Sequence, residues 1–203
     1  MAIFKPKDIK EFVITNKILF LISFLFIFIG LVIGVVIEIK TTDTLTIFAS
    51  STASLTDIIT GDYSAGTLFF SCFKKVFLAT VILFVFSLTK ITSFLNYIYL
   101  AYQGMLVSAT ATNLIYLNGL TGALNVVLFT VPVNLINLLI IAYASSLFIK
   151  RRDYQRSYNK TFLGSFSAYS GQLAGLLIGV VLASAIYGVF YPILLRSIVV
   201  ISY

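Results

Sequence analysis

Gly122 to Arg156 reads GALNVVLFTVPVNLINLLIIAYASSLFIKRRDYQR. It opens with about 28 residues that are almost all apolar, Gly122 to Ile149, and stops at Lys150-Arg151-Arg152. About 20 apolar residues are enough to cross a bilayer, and a basic cluster at one end of a span sets which end faces the cytoplasm. Near the middle stand Pro132, Asn134 and Asn137. Proline removes a backbone donor and predicts a kink. Asparagines three apart share a helical face. In a membrane such a face belongs against another helix or a wet cavity. Polar glue between packed helices is the plainer reading, and a ligand or ion site is the alternative.

Composition agrees with that stretch. Of 203 residues, 60% are apolar and 10% charged, with a mean hydropathy of +1.05. These values predict a polytopic membrane protein. Nearly every apolar block is accounted for as a span, which leaves 1–203 as a single integral membrane domain. The lone Cys72 excludes an intramolecular disulfide and a cysteine-rich metal site. The net charge of +7 comes from residues that flank apolar runs, so it points to membrane topology and away from nucleic acid.

Residues 1–17 form a cytoplasmic basic arm with Lys5, Lys7, Lys10 and Lys17. A positive flank is sufficient to explain it, although Ile9, Phe12 and Val13 share one face of a possible interfacial helix. Residues 18–37 are a first span, retained rather than cleaved as a signal peptide. Its Gly30 and Gly34 are four apart, a spacing that permits close helix approach. The stretch 38–73 is an extracytoplasmic loop, and Leu45, Phe48, Leu55, Ile58 and Ile59 recur within it at helical spacing. They predict an amphipathic helix over about 44–59, followed by a turn and a new helix start after Ala65. Covering the bundle is its default role, and it is also the surface offered to an extracytoplasmic partner.

A second span is expected at 76–89, short, between Lys74-Lys75 and Lys90, with Leu68 to Phe73 able to extend it; a re-entrant hairpin is the alternative. A third covers 93–117, with Asn96, Gln103 and Asn113 and a small-residue ridge of Gly104, Ser108 and Thr112. A turn at 118–122 leads into the fourth span, and 150–165 form a cytoplasmic basic loop. The fifth span, 166–195, carries Gly171, Gly175, Gly179 and Ala183 at intervals of four, a ridge suited to packing in the bundle or between subunits of a homo-oligomer.

With the N-terminus inside, the inside segments hold Lys5, Lys7, Lys10, Lys17, Lys90, Lys150, Arg151, Arg152, Arg156 and Lys160, ten in all. The outside segments hold Lys40, Lys74, Lys75 and Arg196, four in all. The expected fold is therefore an all-α polytopic bundle of about five transmembrane helices, N-in and C-out. An extracytoplasmic amphipathic helix lies between the first two spans.

Chemistry is thinly represented. With no histidine in the chain, the commonest general base and the HExxH zinc motif are missing. All seven acidic residues, Asp8, Glu11, Glu38, Asp43, Asp57, Asp62 and Asp153, fall outside the expected spans, and so do the lysines and arginines. A carboxylate relay or an ion-coupled pathway would need ionisable groups at mid-membrane. No phosphate loop occurs, and no cofactor, metal or catalytic residue is expected. Membrane lipids are the expected neighbours.

In layout and local wording the chain resembles the stage II sporulation protein M family. Val131-Pro132-Val133-Asn134, running on into Lys150-Arg151-Arg152, looks like that family's fourth-span leucine-proline-x-asparagine pattern. Tyr187-Gly188-Val189-Phe190-Tyr191-Pro192-Ile193-Leu194-Leu195 is similar to its closing aromatic-x-x-proline-x-leucine segment. Where the wider family often reads proline-histidine-glycine-x-x-glutamate, Val133, Asn134 and Asn137 stand here, so roles of the histidine and glutamate do not carry over. The resemblance implies a non-enzymatic scaffold in the bacterial cytoplasmic membrane. Its partners would be cell-wall hydrolases, an amidase/endopeptidase and a lytic transglycosylase, recruited during forespore engulfment in sporulation or related envelope remodelling. The outside loop would then contact partners while Asn134 and Asn137 hold the bundle in shape. A permease subunit of a small transporter or exporter is the alternative of a different class.

Overall fold

Long runs of leucine, isoleucine and phenylalanine leave the backbone with no partner but itself in an apolar medium, and helices result. The computed structural model describes residues 6–40 and 65–201. Among these there is no strand. The elements are α1 (Pro6–Thr15), α2 (Lys17–Lys40), α3 (Ala65–Phe86), α4 (Phe94–Asn125), a π-helical turn (Val126–Thr130), α5 (Val131–Ser157), α6 (Phe162–Ala168) and α7 (Ser170–Ile201). Four helices are long and apolar enough to cross a membrane: α2, α3, α5 and α7 over Ser170–Val189.

The closest packing joins α2 to α4, and glycine makes it possible. A Cβ on Gly30 would strike the Ala101 carbonyl, and one on Gly34 would strike the Ser108 side chain and the Met105 carbonyl. On the facing helix, a Cβ on Gly104 would strike the Ile27 carbonyl. Ile27 and Leu31 lie against Gly104, and Gly34 lies against Met105 and Ser108, so the two helices run parallel. Small residues let backbones approach where lipid supplies no hydrophobic drive. α3 lies chiefly against α7, in the opposite sense, where a Cβ on Gly188 would come within 2.9 Å of the Ala65 carbonyl oxygen.

α4 ends its first part at Gly119, which has φ 55° and ψ −127°, a conformation reserved for glycine. This one residue makes the bend expected over 118–122, and helical backbone resumes at once. The irregularity of the fourth apolar run falls before the proline. Val126–Thr130 widen into a π turn, and Pro132 follows near the first position of α5, where a missing donor costs little.

Several expectations are corrected. Residues 38–73 are not one loop: α2 continues to Lys40 with Glu38 buried on its last turn, and α3 begins at Ala65. Leu45, Phe48, Leu55, Ile58 and Ile59 lie outside the described residues. The second span is 65–86 rather than 76–89. Phe69, Phe73 and Phe77, one turn apart with near-parallel rings (interplanar 13° and 11°), carry the helix straight through Lys74 and Lys75. Those lysines therefore stand midway along a span-length helix and not beyond its end. The segment 150–165 is likewise mostly helical, with α5 running to Ser157 and α6 starting at Phe162. The N-terminal arm is a helix whose Phe12 is buried against Phe20, Tyr143 and Tyr169.

Candidate functional site

Asn134 and Asn137 project from the first turns of α5, both half-buried. The Asn134 amide Nδ2 donates to the Thr130 carbonyl at 2.8 Å, a bond back along its own helix into the π turn. Asn137 reaches across instead. Its Nδ2 lies 4.0 Å from the Cys72 Sγ on α3, and Ser184 on α7 faces the same thiol. The Asn137 Oδ1 is buried with no hydrogen-bond partner among the described residues. Pro132 is exposed and takes no part in this cluster. The face predicted from the sequence thus divides: one asparagine mends its own helix, while the other joins three helices at a cysteine.

Gly171 and Gly175 are buried and Gly179 is half-buried on α7. At Gly179 an added Cβ would meet Ile140 side-chain carbons at 3.8 Å, an ordinary contact. Gly175 and Gly179 line a groove of about 340 Å³. Phe20 and Phe24 of α2, Ile140 and Tyr143 of α5, and Ile9 and Val13 of α1 form much of the remaining wall. Because the lining is almost entirely apolar, it suits a hydrocarbon chain better than an ion or polar solute.

At the end of the bundle where α3 and α5 finish, two arginines of the expected cytoplasmic basic loop form a joint between helices. Arg151 is 1% exposed. Its guanidinium carbon lies 5.1, 4.9 and 4.3 Å from the ring centroids of Phe84, Phe162 and Phe166, and Nη1 donates to Ser165 Oγ at 3.1 Å. Arginine suits this position because its flat, weakly hydrated head stacks on aromatic faces. Arg152 donates from Nη1 to the Thr89 carbonyl at 3.2 Å and pairs with Asp153 Oδ1 through Nη2 at 2.6 Å. One arginine holds α6 and the other holds the α3–α4 turn. That turn is further closed by Asn96, whose Nδ2 donates to Ser87 Oγ at 2.6 Å. Beside the joint, burial raises the Tyr169 hydroxyl above its ordinary pKa, with Tyr154 and Asp153 adding to the shift.

Sequence reasoning missed Cys72 as the partner of Asn137, the arginine joint, and the place of Lys74 and Lys75. An arginine next to a loop with phenylalanines at i and i+4 (Phe162, Phe166) was the one available hint of the joint. Among the described residues no three His, Cys, Asp or Glu side chains gather where they could hold a metal. The features together define a polytopic helical membrane protein whose polar groups lie at helix joints. No family model, curated protein or solved structure matches the chain.

Proposed function

We propose that this chain is a five-span protein of the bacterial cytoplasmic membrane, with the arginine joint and the N-terminus on the cytoplasmic side. Its role in this reading is a non-enzymatic scaffold of the stage II sporulation protein M type. It gathers peptidoglycan-remodelling enzymes through the outside segment between α2 and α3. α4 is more polar than the other four long helices, yet it lies parallel to α2 with its glycines interlocked, which supports counting it as a span. The observation that carries the scaffold reading is the use of the polar side chains. Asn96, Asn134, Asn137, Arg151 and Arg152 are each engaged with a neighbouring turn or helix, as expected of a bundle built to stay fixed.

The experiment is affinity purification of the tagged protein from its native membrane, followed by mass spectrometry. Co-purifying wall hydrolases, lost when Leu45 to Ile59 are substituted, are the expected result. A transport component with no wall enzyme overturns it. A permease subunit is the second reading, favoured by the unpartnered Asn137 Oδ1 next to a π turn. It predicts that Asn137→Ala abolishes flux in a protein that still folds, whereas the scaffold predicts only reduced stability.

A further inference from the structure

We propose that Lys74 and Lys75 mark a docking face for a membrane-embedded helix of another protein that carries an aspartate or glutamate at mid-bilayer. The two lysines are the tenth and eleventh of the 22 residues of α3, and both side chains are exposed. About 14 Å of helix separates Lys74 from Ala65, and about 17 Å separates Lys75 from Phe86. A four-carbon stem does not bring either ammonium to an interface over those distances. The exposed side chains around them are mostly apolar: Phe70, Phe77, Leu78 and Val81 lie within two turns, and Thr67 and Ser71 are the small polar ones on that side. A cation on such a face is costly in lipid and is normally paired.

The chain itself offers no counter-charge at that depth among the described residues. Asp8 and Glu11 are on α1, Glu38 on the last turn of α2, and Asp153 is the fifth residue from the end of α5. None of the four is at the middle of a span-length helix. A second copy related by two-fold symmetry would place lysine against lysine, which repels. Asp43, Asp57 and Asp62 lie outside the described residues; charge complementarity at mid-bilayer points to a carboxylate brought by a different chain, and a crosslink within this chain would overturn that choice. This inference rests on α3 crossing the bilayer and goes beyond enzyme recruitment, because the partner it identifies lies within the membrane.

A photoreactive residue in place of Phe70 or Leu78, in the full chain in native membranes, tests it. The expected crosslink is to an apolar span of another protein containing Asp or Glu. Its yield should fall about tenfold in Lys74→Leu/Lys75→Leu and persist in Lys74→Arg/Lys75→Arg. Cys72, buried in the bundle, should stay protected from maleimide in the leucine variant, which shows that the fold is kept. Crosslinks to lipid alone, to a second copy, or to a span without a carboxylate overturn the proposal, as does an unchanged yield in the leucine variant. A carboxylate-bearing partner found without any wall enzyme upholds this inference and counts against the recruitment reading. Wall enzymes found without such a span do the reverse.

Discussion

Arg151 carries a formal charge into one of the driest places in the molecule. Three aromatic rings and one serine hydroxyl replace its water. Each cation–π contact of this kind contributes roughly 0.5–2 kcal/mol, and the stem adds packing. We expect Arg151→Leu to destabilise the protein by about 2–4 kcal/mol, measured by thermal unfolding in detergent. Arg151→Lys should fall between that variant and the parent, since it keeps the charge but loses the flat head. Hydrogen exchange over 162–168 should rise in both, because α6 is what the guanidinium holds. Apart from the spacing of Phe162 and Phe166, little of this is legible in the sequence. The sequence shows that arginines are present, but a buried and a solvated arginine are spelled alike, and the deciding rings come from α3 and α6.

At the scale of helices, two small-residue ridges look equivalent in sequence and behave differently. Gly30 and Gly34 meet backbone atoms of α4, whereas Gly179 meets the flexible end of Ile140. Gly30→Ala must therefore push two backbones apart, at about 1–3 kcal/mol. Gly179→Ala should stay within about 0.5 kcal/mol of the parent. Folded yield and melting temperature in the same detergent separate the two, and equal effects would contradict the packing described. The helices themselves were readable because hydropathy and length dictate them. Their ends were less so. In the sequence Lys74 and Lys75 look like a boundary, since charges commonly end apolar runs, but the stacked Phe69, Phe73 and Phe77 continue the helix past them. Spacing alone also shows which residues can pack closely and leaves open which partner they meet.

For the whole molecule, the proposed five spans and cytoplasmic arginine joint make a side-specific expectation. Single cysteines replacing the exposed Lys10, Lys90 or Asn159 should react with a membrane-impermeant maleimide only after cells are opened. Replacements at the exposed Ala65 or Leu120 should react in intact cells. A reversed pattern at either group would remove the proposed orientation, and a mixed one would remove α4 as a span. The assembly of the whole was partly foreseeable: alternation of spans follows from counting. That α2 prefers the third long helix over its neighbour α3 was hidden until the glycines of both were seen face to face.

That preference has a consequence for synthesis on the ribosome. Gly30 and Gly104 belong to one helix seam, the first against Ala101 and the second against Ile27, although the second is made long after the first. At 5–20 residues per second, α2 waits about 4–15 s before its partner's glycine is even polymerised. During that interval its open glycine face must be sheltered at the insertion machinery, while α3, made in between, moves off to await α7. The last helix to emerge is thus the one that lets α3 settle, and a chain stalled before it would leave the unmatched face of α3 to membrane quality-control proteases.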